Sequence, residues 1–498
     1  MCVGTTQCSP PQKLFSGMEH VEENLCSCSP MPEHPFKQDR KSRRNGSMEM
    51  EILYARCAGC DVHKKTIKVC LLIRDADGQR HKEFRTYGTT MEELLELADW
   101  LKEQGCTHIA MEGTGVYWKP VYNLLEGNFE LLVVNAQHIK AVPGRKTDTK
   151  DAEWIADLLQ HGLLKASFIP SAPQRALREL TRYRVRLTEE RSREVNRVQK
   201  TLEDTNLKLG DVVSDVMGKA ARMILHAIAD GESDPVRLAG FAEGRVRADH
   251  QQLVAALTGH VDDHHRFLLR EHLTQIEHLE RAIERVTAEI ARRFTPPPSP
   301  EDAEAVQKEA ERVKAVSETA SQEPPCSPKA ALSWAEAVVL LCSIPGISER
   351  AAYAILAEIG IRMQQFPTAG HLASWAGVCP GNHESAGKRL SGKTRKGNLW
   401  LRRILIQVAH AASRQKNGYF AAQYRRIAAR RGAKRAVMAV AHSILVIIYH
   451  LLSEGTSYEE RGEAFFEERD RQDIERRLVN QLTHLGYKVE LQPIAQAG

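Results

Sequence analysis

The chain lacks a disulfide framework: its 11 cysteines are scattered over 498 residues without regular spacing. In a chain this long, such scatter excludes a cysteine-stapled secreted scaffold and fits a reducing cytoplasm. No apolar signal segment opens the sequence, and no apolar run reads as long enough to span a membrane. Both absences point to a soluble intracellular protein with no membrane partner. A second CxxC is also missing. Cys57-x-x-Cys60 could join Cys26 and Cys28 as zinc ligands, but it falls in a strand pattern, where small buried side chains are the simpler reading. Acid is absent where base is dense: Ser385 to Arg435 holds fifteen Lys or Arg and no Asp or Glu. A merely solvated surface mixes its signs, so this stretch reads as a footprint for a polyanion. The net charge of +5 alone decides little, and 42% hydrophobic residues suffice for two or three domains with cores.

Residues 1–47 are rich in Pro, Ser, Cys and charge, have no periodicity, and end in the basic run Lys37 to Arg44; they read as a disordered tail. Patterned sequence begins directly after Met48 and Met50. Ile52–Val62, Thr66–Ile73 and Arg80–Tyr87 alternate as strands, with the turn Asp75–Gly78 between the last two. Thr90 caps a helix, Met91–Gln104, expected to turn Leu94, Leu95, Leu97, Ala98 and Leu101 inward. Strand Thr107–Glu112, helix Tyr117–Leu125, strand Phe129–Val134 and a helix from near Thr147 to His161 follow. Three strands, a helix, then alternating strand and helix is the order of an RNase H-like α/β domain, here residues 48–165.

Four carboxylates fall on elements of that domain where a metal-dependent nuclease site would need them. Asp61 lies in the first strand and Glu112 closes the fourth, just before Gly113-Thr114-Gly115. Asp148 and Asp151 stand three apart at the start of the last helix, hence on one face. Oxygen-only donors of this kind suit Mg²⁺, and paired ions can clamp both oxygens of a phosphoryl transfer.

Beyond Pro173 the pattern turns helical. Residues 166–295 carry a narrow stripe, Leu177, Leu180, Leu187, Val195, Val198 and Leu202, and then a long helix, Leu253–Phe294. In that helix Leu269, Ile276, Ile283 and Ile290 repeat at sevens, the seam of a coiled coil. The two helices could pair within the chain, between chains, or both. Residues 296–330 read as a linker, and a helical domain spans 331–455. Ile344-Pro345-Gly346-Ile347 between two helices is a helix-hairpin-helix signature, in which Gly346 would let backbone N–H groups approach a phosphate. An ordinary αα-hairpin is the alternative. Ser385 sits in a Gly- and Pro-bounded loop beside Lys388 and Arg389, and Lys393, Arg395, Lys396, Arg402 and Arg403 follow as candidate nucleic-acid contacts. On the residues alone Ser385 is a turn residue. Ala436–Leu452 reads as an apolar core helix, and residues 456–498 as a charged helical tail.

These motifs, taken in order, resemble the insertion sequence one-ten family of transposases, the DEDD type. The resemblance rests on Cys60-Asp61-Val62-His63-Lys64, on Met111 through Trp118, and on Lys146 through Ala152. It continues through Ile344-Pro345-Gly346 and Pro380…Ser385-Ala386-Gly387-Lys388 to Lys396-Gly397-Asn398. Cys60, where the family often has an aliphatic residue, and Ala386 depart from its pattern. The resemblance implies that Asp61, Glu112, Asp148 and Asp151 bind Mg²⁺ and the scissile phosphate, and that Ser385 forms a transient covalent link to DNA. No nucleotide cofactor is then required. It further implies donor and target DNA as partners, a noncoding guide RNA, a homo-oligomer (dimer or tetramer), and a cytoplasmic, nucleoid-associated protein. Two alternatives remain open on the sequence. One is a RuvC-like junction hydrolase in which Ser385 is structural. The other is a domesticated nucleic-acid-binding protein, which would have no need of four such carboxylates.

Overall fold

The computed structural model describes residues 52–75, 77–113, 115–135, 151–294, 332–381, 383–385 and 388–490. The expected tail 1–47 and linker 296–330 lie outside them, as do Asp148, Cys26 and Cys28. The chain divides into two compact units that meet between Ala172 and Pro173. The division falls seven residues beyond the expected 165 because the chain is still tied to the first unit there. Ala166 bridges Val134, Ser167 N–H donates to the Val133 carbonyl at 2.7 Å, and Ile169 packs on that unit's core.

The first unit is a mixed sheet of five strands: β1 (Arg56–Val62), β2 (Thr66–Arg74), β3 (Arg80–Gly88), β4 (His108–Glu112) and β5 (Glu130–Val134), in the order β3-β2-β1-β4-β5. β1, β2 and β3 run antiparallel, while β1, β4 and β5 are parallel. Period-two alternation sends Ala58, Cys60, Ile67, Val69, Ile109 and Met111 to one face. That face is covered by α1 (Met91–Glu103) and α2 (Trp118–Leu125). Thr90 caps α1 as expected, its hydroxyl accepting from the Glu93 N–H at 3.4 Å. Leu95, expected inside, is half exposed at 50%, and Trp100 is buried instead. At 100° per residue Leu94, Leu97, Ala98, Trp100 and Leu101 share one arc of the helix, and Leu95 falls outside it.

The opposite face carries Cys57, Cys70, Leu72, Ala110 and Val134 against α3 (Asp151–Gln160). Cys57, Cys60, Cys70 and Cys106 are free thiols in these cores. Burial pushes Cys57, Cys70 and Cys106 up to about 12 and raises Cys60 as well. Buried among apolar side chains on either face of the sheet, these thiols serve as packing groups.

The second unit is helical. Its first part comprises α4 (Ala172–Asp204), α5 (Leu209–Val212), α6 (Lys219–Asp230), α7 (Pro235–Gly240), α8 (His250–Ala256) and α9 (Asp263–Phe294). The long helix expected from Leu253 is therefore two, broken between Ala256 and Asp263. Gly259 marks the break: a Cβ there would stand 2.5 Å from the Thr205 carbonyl oxygen. Val198 and Leu202 of α4, Ile224 and Ile228 of α6, and Leu269, Leu273 and Ile276 of α9 form one core. The seam residues Leu269, Ile276 and Ile290 are thus fully buried within the chain rather than left for a second copy. Arg191 of α4 pairs with Glu280 of α9 at 2.7 Å, and Arg222 of α6 pairs with the same carboxylate.

The second part contains α10 (Trp334–Cys342), α11 (Glu349–Ile359), α12 (Ala369–Ala376), the hairpin β6 (His383–Ser385) and β7 (Lys388–Ser391), α13 (Leu399–Ala412), α14 (Tyr419–Arg431), α15 (Ala433–Glu454) and α16 (Ala464–His484). With the helices before it, it belongs to the second of the two compact units. By length and composition α15 could cross a membrane, contrary to the reading that no run is long enough. Its apolar residues occur all round because it is a core helix, packed by α10, α12, α13 and α14.

α3 lies directly on β1 because Gly59 has no side chain. A Cβ at Gly59 would meet the Ala152 carbonyl oxygen at 2.3 Å and the Ala156 nitrogen at 2.4 Å. Gly59→Ala is therefore expected to lower stability by at least about 2 kcal/mol in chemical denaturation, whereas Gly240→Ala, with open space around the same Cβ and an ordinary backbone, is expected to cost less.

Candidate functional site

The parallel pair β1 and β4 aligns Cys60 with Met111, so Asp61 and Glu112 follow at the same end of neighbouring strands. Cys60 and Met111 face α1. By alternation Asp61 and Glu112 face the α3 side, as Gly59 and Ala110 do. α3 runs antiparallel to β1: Ala152 lies over Gly59, and the Gln160 carbonyl accepts from the N–H groups of Leu53 and Tyr54, ahead of the strand. The first residue of α3, Asp151, therefore belongs to the end of the sheet where Asp61 and Glu112 emerge. All three are half-buried. Asp61 also accepts from the imidazole of His63, 3.1 Å away.

These three carboxylates offer only oxygen donors, which fits a hard divalent cation. Among the described residues no three His, Cys, Asp or Glu side chains stand close enough to hold a metal ion. The fourth expected ligand, Asp148, lies outside them.

The second unit carries the other candidates. Ser385 is the last residue of β6 and pairs with Lys388 of β7, with Glu384 opposite Arg389. The irregular loop expected here is thus a short hairpin, with a register shift between His383 and Glu384. The backbone holds its base, as the Gly381 N–H donates to the Lys393 carbonyl at 3.1 Å. Lys393, Arg395 and Lys396 are exposed in the segment leading to α13. Arg402 is half-buried, and exposed Arg403 pairs with Glu189 of α4 at 3.0 Å.

Gly346 does stand between two helices, at φ +86°, but its open side faces α13. A Cβ would lie 2.7 Å from the Ala412 nitrogen and 2.9 Å from the Val408 carbonyl oxygen. Both this left-handed backbone and the close helix packing require glycine there.

One organising residue was not picked out from the sequence. Glu358, at the end of α11, is 1% exposed yet charged. It accepts from Arg182 of α4 at 2.7 and 2.9 Å, and from the Asn398 side chain at 2.6 Å. Arg178 lies 3.2 Å from the same carboxylate. Burial pulls the Arg178 guanidinium down to about 10, against the opposing pull of Glu358. Asn398 in turn caps α13, accepting from the N–H groups of Trp400 and Leu401 at 3.0 and 3.1 Å. Glu358 thus fixes the start of α13, where Arg182, Arg186 and Arg403 surround the Trp400 ring at 5.5–5.9 Å. The only sequence signal was a lone Glu ending an apolar helix.

A family model for DEDD transposases of the IS110 type matches residues 58–207, which include all four expected carboxylates. A second, described as the transposase of the IS116/IS110/IS902 family, matches residues 338–425, which include Ser385 and the first part of the basic stretch. The chain belongs to the IS110 family of transposases. As an IS110-family transposase it is an enzyme that acts on DNA in transposition, and the five-stranded unit fits the RNase H-like domain of that family. It is 24% identical over 371 residues to a Pseudomonas aeruginosa protein named "Probable family 20 transposase", covering 73% of this chain and 89% of that one. It is also 32% identical over 124 residues to the "Insertion element IS110 uncharacterized 43.6 kDa protein" of Streptomyces coelicolor, covering 24% of this chain and 30% of that one.

Glu358→Ala in this transposase would leave buried Arg178 without its carboxylate. We expect a loss of about 3 kcal/mol, the low end for a broken buried pair because Arg182 is a third exposed. Urea denaturation of the variant checks the value, with Glu349→Ala, a helix-start acid on α11, as a milder comparison.

Proposed function

We propose that this transposase cuts and rejoins insertion-sequence DNA in two phosphoryl transfers. Carboxylates of the first unit would activate the phosphate, and Ser385 of the second would carry it. The observation that supports this reading most is the shared face and shared end of Asp61, Glu112 and Asp151. Asp148, three residues before Asp151, would complete the set. Their oxygen donors suit Mg²⁺, which when bound would offset the charge that develops on the phosphate.

The Ser385 hydroxyl attacks phosphorus, exchanging one P–O bond to DNA for a P–Oγ bond, and the proton it loses passes to the departing DNA oxygen. A second DNA hydroxyl then reverses the exchange. The number of phosphodiester bonds is conserved, so no nucleotide cofactor is consumed. Lys388 and Arg389, flanking the serine in the hairpin, offset negative charge on the reacting phosphate. Lys393, Arg395, Lys396, Arg402 and Arg403 hold the backbone on either side, and Gly346 lets backbone N–H groups at the helix start approach a phosphate. Donor and target DNA are the substrates, a noncoding RNA of the element is the guide, and a dimer or tetramer is the working form, on nucleoid DNA in the cytoplasm.

The test is a suicide DNA substrate with Mg²⁺, followed by a denaturing gel and peptide mapping. Wild type should give an adduct at Ser385. Ser385→Ala and Asp61→Asn should each form none and lose strand exchange by at least about a hundredfold, while still binding DNA. If Ser385→Ala cuts at the wild-type rate, the chain is a metal-dependent hydrolase and the serine is only part of a turn.

A further inference from the structure

A cleft of about 680 Å³ opens between the segment after β7 and the junction of α14 with α15. Its lining includes Lys393, Thr394, Arg431, Lys434, Arg435 and Met438, four cations and no acid. Arg431, Lys434 and Arg435 are exposed, and among the described residues none of the three has an ion-pair or hydrogen-bond partner. Some other exposed arginines are paired, as Arg292 and Arg293 with Glu289, or Arg425 with Glu463.

The placement is also unfavourable for the chain by itself. Lys434 and Arg435 occupy the first turn of α15, a helix of 22 residues, where the backbone dipole is positive and cations are repelled. No side chain caps that end, so its first N–H groups are open to an acceptor. Three unpaired cations and uncapped amides at one helix start are relieved together by an anion. The cleft lies at the base of the β6–β7 hairpin: Gly392 directly follows Ser391, and the Lys393 carbonyl closes the base against Gly381. Three paired positions separate base from tip, roughly 10 Å at 3.3 Å per residue.

We propose that this cleft seats a backbone phosphate of the bound nucleic acid, next to the stretch of strand held by the β6–β7 hairpin. Its seat would fix the register of the strand along the hairpin. The link to the hairpin rests on the function proposed above; the phosphate seat itself does not.

The test uses the full chain and three fluorescent probes, duplex DNA, single-stranded DNA and single-stranded RNA, titrated over a salt series. Each phosphate contact adds about 0.9 to the slope of log affinity against log salt on duplex DNA. The triple variant Arg431→Gln, Lys434→Gln, Arg435→Gln should lower that slope by about 1 and weaken binding at least tenfold. The equally discharged variant Arg193→Gln, Lys200→Gln, Arg237→Gln should change it far less. Loss on the DNA probes or on the RNA probe supports the seat and says which strand occupies it. An unchanged slope, or an equal loss in the control, overturns it. Asp61→Asn, measured alongside, separates the two proposals. If it binds and cuts normally while the triple variant loses its slope, the proposed chemistry fails and the phosphate seat stands.

Discussion

The absence of a side chain at Gly59 sets the geometry of the first unit. Only there can the backbone of the helix Asp151–Gln160 come down onto the strand Arg56–Val62 without a collision. That contact fixes the helix antiparallel to the strand and brings Asp151 to the end of the sheet where Asp61 and Glu112 emerge. A helix held farther off by a methyl group would move its first carboxylate relative to the other two. The placement of these carboxylates thus depends on a packing constraint at a residue that is not one of them.

The second unit uses a different device for the same purpose, the holding of charged groups in fixed places. Its basic surface could not be organised by apolar contacts alone, since cations repel one another. Glu358 supplies one buried negative charge that draws Arg178 and Arg182 from one helix and Asn398 from the start of another. The cations around Trp400 are therefore pinned from beneath. Those of the cleft at Arg431, Lys434 and Arg435 are left uncompensated and open to a ligand.

Much of this was legible in the sequence, because half-buried strands alternate and capped amphipathic helices announce their starts. All five strands of the sheet and the Thr90 cap were readable on those grounds, and so was the placement of Asp61 and Glu112 on strands. What eluded reading were long-range packing facts. Gly59 looked like any strand glycine, and its role depends on a helix almost a hundred residues later. Gly346 carried a hairpin signature, yet the helix Leu399–Ala412 lies against it. A heptad count cannot say whether its seam is closed by the same chain, and Leu269, Ile276 and Ile290 are closed by it. The buried charge of Glu358 had no signature at all. Asp148 is known from the sequence alone.

We propose that separate elements of the first unit, with Asp148, supply carboxylates to one cation-binding group. Manganese(II) binding to the full chain, followed by electron paramagnetic resonance in the absence of DNA, tests it most directly, since that ion accepts the same oxygen donors as Mg²⁺. The account predicts saturable binding by the wild type. It predicts a loss of at least about tenfold in affinity in Glu112→Gln and again in Asp151→Asn, with both variants folded by circular dichroism. Manganese binding as tight in both variants as in the wild type would contradict it.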